Sequence, residues 1–199
     1  MIIGIAGGSG SGKTSLANTI INLIGKECAT FIQYDSYYRD RSHIPFEQRG
    51  NINYDLLEAF ESELLIYHLN ELIKGRRIKK PIYDFKTHAR KNKIEVIYPH
   101  DIIIVEGILI FCDKKLRNLM DLKIFLDIKA DIRLYRRIMR DVKERKRSID
   151  AIINQWLTTV KPMYDKFVAP TREYSDIIYN NDPTDDEIEF LIGKIKKSL

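Results

Sequence analysis

Apolar positions along the chain fall into two alternating rhythms. Ile2 to Ala6 is a compact apolar run halted by Gly7 and Gly8, which predicts a short strand. A helix is expected from Lys13 to about Ile24, with Gly25 just past its end. Thr30 to Tyr34 reads as a second strand. Residues 35–54 are polar and contain Pro45 and Gly50, a long connection of the kind compact domains keep for function. Leu56, Leu57, Phe60, Leu64, Leu65, Tyr67, His68, Leu69 and Leu72 recur at helical spacing up to Gly75. Ile78–Phe85 and Ile94–Tyr98 read as a hairpin around a basic turn. Asp101 to Val105 is almost wholly β-branched, as in a central parallel strand covered on both faces. Leu122–Leu126 is another strand. Helical patterns follow over 130–146 and 149–168, the second with Ser148 as its cap. Ser175–Tyr179 is a last strand, and Thr184 caps a final helix through Lys197.

Strands alternating with helices predict an α/β fold: a parallel five-stranded sheet with flanking helices. The hairpin, about residues 77–98, and the arginine-rich segment, about 130–148, read as inserts on one domain spanning 1–199. The 199 residues suffice for one substantial core. The net charge of +5 suits a polyanionic partner but does not single out nucleic acid. Cys28 and Cys112 stand in apolar surroundings and read as buried free thiols. With a strand at Ile2, no stretch is left for a leader peptide. No apolar run approaches the roughly 18 residues of a membrane span. A cytoplasmic chain without membrane contact is the expectation.

Gly7-Gly8-Ser9-Gly10-Ser11-Gly12-Lys13-Thr14 matches the phosphate-loop pattern in full, between a predicted strand and a predicted helix. Glycines let backbone N–H groups converge on anionic oxygens, and the helix start adds unsatisfied donors. Lys13 reaches the β- and γ-phosphates, and the Thr14 hydroxyl suits Mg²⁺. The pattern predicts a P-loop NTPase fold and a nucleoside triphosphate site. A guanine-reading N-K-x-D segment is absent, which argues against a GTP switch. Asp35 follows the second predicted strand and Glu106 follows the Asp101–Val105 run. Both therefore fall at the carboxyl edge of the sheet, where the phosphate loop emerges. A carboxylate there holds Mg²⁺ or accepts the proton of an attacking hydroxyl.

Tyr83 and Phe85 alternate within PIYDFKTH and point to one face, with His88 close behind. Three readings stay open on pattern alone: rings that pack the hairpin onto the domain, a nucleobase pocket, or a single-stranded nucleic-acid surface. In ADIRLYRRIMRDVKERKRS (130–148), Arg133, Arg137 and Arg140 lie within one helical stripe. Such a stripe is a solvated face, a nucleic-acid surface, or a lid over transferring phosphates.

The motifs QYDSYYRD, NINYD, PIYDFKTHAR, DIIIVEGILIF and VKPMYDKFVAPT, with the phosphate loop, make the chain similar to the uridine kinase family, most of all its compact bacterial members. The combination DSYY, YDFKTH and EGIL weighs against the phosphoribulokinases and pantothenate kinases, kinases of other small alcohols. The resemblance implies transfer of the γ-phosphoryl of ATP or GTP to the 5′-hydroxyl of uridine and cytidine, with Mg²⁺, in pyrimidine salvage. It implies nucleotide contacts from Gly7 through Ser15, Asp35 as the base, and Thr14, Asp35 and Glu106 as metal ligands. Lys13 and Arg140 would act on the phosphates. Asp55 would hold the ribose hydroxyls, Tyr83 and Phe85 the base, and His88 its edge, with Arg137, Arg147 and Gln155 at further acceptor positions. It also implies a homotetramer and no nucleic-acid partner.

Three departures stand out. After NYD the family's H-P-x-A-F-D becomes LLEAFES, so Glu61 replaces an aspartate. The usual I-I-I-P-x-G becomes IIYNNDP, blurring any adenine-side contact there. E-R-G-R becomes ERKR, where Lys146 in place of glycine is expected to stiffen the end of the lid helix.

Overall fold

The computed structural model describes residues 1–49 and 52–197. Gly50 of the long connection and the Asn51 that opens NINYD lie outside the described residues. Five strands form one parallel sheet: β1 (Ile2–Gly7), β2 (Ala29–Gln33), β5 (Ile102–Gly107), β6 (Leu122–Leu126) and β7 (Ile177–Tyr179), in the spatial order β2-β5-β1-β6-β7. Parallel strands buried on both faces need continuous apolar sequence, and every residue of β1 and β5 is buried. The helix α1 (Lys13–Ile24) returns the chain from β1 to β2 and covers one face with the last helix, α5 (Asp185–Lys197). The helix α2 (Ser62–Ile73) covers the other face, together with Phe111, Leu116 and Phe125.

The hairpin strands β3 (Ile78–Asp84) and β4 (Ala89–Ile97) form a separate antiparallel ribbon. The helix α3 (Ala130–Arg145) carries most of the arginines. It leads into α4 (Ile149–Gln155), whose helical path continues through wide π-turns at Trp156–Val160 and Tyr164–Val168 to a 3₁₀ stretch at Ala169–Tyr174. Among the described residues no helix is long and apolar enough to cross a membrane.

Several expectations need correcting. The turn of the hairpin is Phe85–His88, not the basic run. Asp84 accepts from the Lys86 N–H at 2.9 Å and His88 takes a left-handed backbone (φ 50°), so Arg90 to Lys93 fall inside β4. The helix after the long connection starts at Ser62 rather than Leu56. Residues 57–60 instead turn tightly and bond to the Asp35 segment, through Arg39 N–H to Ala59 O and Glu61 N–H to Tyr37 O. Lys146, expected to stiffen the end of the lid helix, lies just past it at φ 56°, with its N–H on the Asp141 carbonyl. Cys28 is exposed, not buried; both cysteines are free. Ser148 and Thr184 do cap their helices, accepting from Ala151 N–H and Glu187 N–H.

Candidate active site

The phosphate loop leaves β1 at Gly7 and closes at Gly12, both with positive φ (145° and 93°), as has Gly10 (81°). At Gly10 the reason is packing as well as conformation. A Cβ there would run into the backbone carbonyl of Arg133, so the loop is moulded onto the first turn of α3. Arg133 lies beneath the loop, with its guanidinium against the space a Gly8 side chain would occupy. It donates to Ile128 O at 2.9 Å and stacks on Tyr164 at 3.7 Å. This separates Arg133 from Arg137 and Arg140, which the helical stripe had grouped with it. Lys13 is buried and donates to Gly8 O at 3.0 Å. Burial pushes its ammonium pKa down, against the opposing pull of Glu106 and Asp35. Ser11 Oγ is buried without a partner.

Because β5 lies between β1 and β2, three strand ends meet beside the loop. Glu106 pairs in register with Ile5 on one side and Gln33 on the other, and stands within β5 rather than after it. Asp35 comes two residues past Gln33, in a 3₁₀ turn Tyr34–Tyr37 anchored by buried tyrosines. Tyr34 bonds to Ser62 Oγ at 2.5 Å and Tyr37 to His68 Nδ1 at 2.9 Å. The Thr14 hydroxyl donates to Glu106 Oε1 at 2.9 Å. Burial raises the Glu106 carboxyl, with Lys13 the main opposing charge. Glu106, Asp35 and Thr14 offer hard oxygen donors beside an anion cradle. That donor set fits Mg²⁺, which takes one or two carboxylates and completes its shell with phosphate oxygens and water.

A recess opens on the other side of Asp35. Tyr38 lines it and is backed by an aromatic stack in the core: Tyr38 lies on Phe60 (centroids 4.1 Å, 29°), and Phe60 on Tyr34 (4.1 Å, 11°). Tyr83 packs against Tyr38 at 4.9 Å and meets Phe85 edge-on at 5.3 Å. Tyr83 therefore belongs to the core and lines the recess at once. His88 stacks on Tyr54 at 5.4 Å and 23°. Burial lowers the His88 pKa, and Arg147, Arg145 and Arg49 lower it further. Asp55 also faces the recess. Burial raises its carboxyl, opposed by Arg137. Among the described residues, the buried hydroxyls of Tyr54 and Tyr83 form no well-aligned hydrogen bond.

Arginines of α3 and the following turn close the top. Arg137 donates to the Ser9 hydroxyl of the phosphate loop at 2.8 Å and to Gln155 Oε1 at 2.8 Å. Arg147 donates to the same Gln155 oxygen at 2.8 Å. Arg145 sits over the Phe85 ring at 4.3 Å. Arg136 points the other way and pairs with Asp182 beside Gly12 and Pro183. A cleft of about 720 Å³ runs along Lys13, Thr14 and Glu106, and it shares Ser9, Asp35, Tyr83, Phe85, Arg140 and Arg145 with the recess.

Thus Asp35, Asp55, Tyr83, Phe85, His88, Arg137, Arg140, Arg147 and Gln155, all picked from the sequence, converge on one recess. Lys13, Thr14, Ser15 and Glu106 line the adjoining cleft. Sequence reasoning missed Tyr38, Tyr54, Arg145 and Asp141. The doubled tyrosine after Asp35 was a usable signal. So was Asp141, an acid four residues from both Arg137 and Arg145 and hence on their helical face.

The profile of the Phosphoribulokinase / Uridine kinase family matches residues 2–187. A uridine kinase of Clostridium novyi (strain NT) is 49% identical over 200 residues, covering 100% of this chain and 96% of that protein. A uridine kinase of Bacillus subtilis (strain 168) is 51% identical over 178 residues, covering 89% of this chain and 84% of that protein. Among solved structures, phosphoribulokinase from Rhodobacter spheroides superposes with a TM-score of 0.62 at 18% identity, over 90% of this chain and 69% of that one. That last likeness speaks for the shared P-loop fold alone.

Proposed function

The chain belongs to the phosphoribulokinase/uridine kinase family and is a P-loop kinase; on that premise we propose that the alcohol it phosphorylates is the 5′-hydroxyl of uridine and of cytidine, giving UMP and CMP. One observation carries the reading: Asp35 faces both the aromatic recess and the phosphate-loop cleft. A flat base held in the recess by Phe85, Tyr83 and His88 turns its sugar towards that carboxylate. A triphosphate cradled by Gly7 to Ser15 ends at the same place.

Phosphoryl transfer asks mainly for positioning and countercharge. Asp35 accepts the hydroxyl proton as the bond to phosphorus forms. Lys13, Arg140 and Arg145 offset the charge that spreads onto the phosphoryl oxygens. Thr14, Glu106 and Asp35 would hold Mg²⁺, which would supply positive charge beside the phosphates. Asp55 accepts from the ribose hydroxyls. A deoxynucleoside leaves that half-buried carboxylate without its donor, and this is the source of selectivity for ribose. ATP and GTP both remain donors under this scheme.

The test is an ATP-consumption assay across nucleosides, deoxynucleosides, a phosphorylated pentose and pantothenate. Turnover with uridine and cytidine but not thymidine is expected. Turnover confined to a non-nucleoside alcohol would replace the reading.

A further inference from the structure

We propose that Asp141 is the positioning residue of the lid: a single buried carboxylate that gathers four guanidiniums and so presents two of them, Arg140 and Arg145 at the seam between recess and cleft, to the transferring phosphoryl group already in place. This rests on the nucleoside-kinase reading of the site.

The side chain of Asp141 is fully buried. Arg140 Nε donates to its Oδ1 at 2.8 Å, and Arg145 Nη1 approaches the same oxygen at 3.4 Å. Arg147 Nη1 and Arg137 Nε approach Oδ2 at 3.4 and 3.7 Å. Three of the four have a second attachment, and the other, Arg140, lines both hollows. Arg137 holds Ser9 of the phosphate loop, Arg137 and Arg147 share Gln155, and Arg145 covers Phe85. Four like charges this close repel one another, and long arginine side chains have many rotamers to choose among. One central anion opposes both tendencies while leaving the cluster positive overall. Burial alone would raise the Asp141 carboxyl, but Arg140, Arg145 and Arg137 more than reverse this and hold it below the ordinary aspartate range. It stays charged at neutral pH. Asp141 touches both the arginine bound to the phosphate loop and the arginine over the Phe85 ring.

The test is Asp141→Asn, which keeps the size of the side chain and removes its charge. Arginines displaced by an ångström cost turnover on the order of 10²-fold. The expected result is that loss in kcat, with the KM for uridine and for ATP little changed, the pattern of a contact made in the transition state. A variant that melts earlier yet keeps wild-type kcat would overturn the proposal and leave Asp141 a structural residue. The same holds if both KM values rise and kcat does not fall. In case the variant does not fold, the wild-type enzyme is labelled with ¹⁵N-arginine. A slowly exchanging Arg140 Nε–H, assigned by its loss in Arg140→Lys, is expected without substrates, and a freely exchanging one overturns the proposal. Wild-type protein inert towards uridine would sink the nucleoside reading and this inference together. Active wild type with equally active Asp141→Asn sinks this inference alone.

Discussion

At His88 the backbone holds φ 50°, a region that asparagine, aspartate and histidine visit more readily than other side-chain-bearing residues, while the ring lies along Tyr54. Burial and three arginines disfavour a second proton on the ring, so its folded pKa lies below the ordinary 6.5. Linkage then has a definite sign. The unfolded chain binds the proton first, so the stability contributed by His88 is complete above pH 6.5 and is lost as pH falls through its folded value. Uridine KM should stay level from pH 8 down to 6.5 and climb below that; a climb that begins above pH 7 would contradict the neutral ring. Asp55 has the opposite character: burial makes its charge costly. Asp55→Asn should melt no lower than wild type at pH 7. It should also lose about 2 kcal/mol of preference for uridine over deoxyuridine, roughly thirtyfold in kcat/KM. Asp35→Ala should lower kcat by about 10²–10⁴-fold while uridine still binds by calorimetry. Residues such as Lys13 and Glu106 were legible because a local pattern demands their type. Tyr54 was not, since a tyrosine between polar neighbours carries no signal until the fold supplies its partners.

Elements with a strong period were readable almost to their ends: α1 and β6 match the apolar pattern, and the caps at Ser148 and Thr184 follow from residue type. The hairpin turn and the start of α2 were misplaced because side-chain and long-range bonds decided them, through Asp84 in one case and the Tyr38–Phe60 bridge in the other. A two-stranded ribbon has little stability of its own. Here Arg90 ties it down, donating to Tyr38 O at 2.9 Å and to Glu61 at 3.0 Å, which gives the glutamate of the LLEAFES departure a partner. Arg90→Met should therefore raise the uridine KM several-fold and leave the ATP KM unchanged in steady-state kinetics. At the end of α3, Lys146 endures a left-handed backbone worth about 1–2 kcal/mol to a residue with a side chain. After subtracting the roughly 0.5–1 kcal/mol of extra chain entropy that glycine brings, Lys146→Gly should gain up to about 1.5 kcal/mol in urea unfolding. A loss would show that the lysine side chain contributes something its geometry does not reveal.

On the scale of the molecule, the apolar runs announced the parallel sheet, but only the strand order brings the ends of β1, β5 and β2 side by side and so sets Asp35 next to the loop. The lid was the least legible part. Arginines on one helix were divided among three tasks by what lay opposite them: Arg133 beneath the loop, Arg136 on Asp182, the rest around Asp141. Arg133 and Arg137 are buried and the other arginines are paired with Asp141 or Asp182, which leaves Lys143 and Lys146 as the exposed cations of the lid. Affinity for single-stranded RNA should be weaker than micromolar at physiological salt, measured by fluorescence anisotropy; tight binding with a steep salt slope would revive a nucleic-acid role.

The seating of Gly10 against the Arg133 carbonyl has a bearing on inheritance. Two stretches from opposite halves of the chain answer to a single steric constraint, and it is written in main-chain atoms that no side-chain exchange can relax. Drift at either stretch must carry the other along, so a chimera that takes its lid from a distant cousin should keep that cousin's phosphate loop as well.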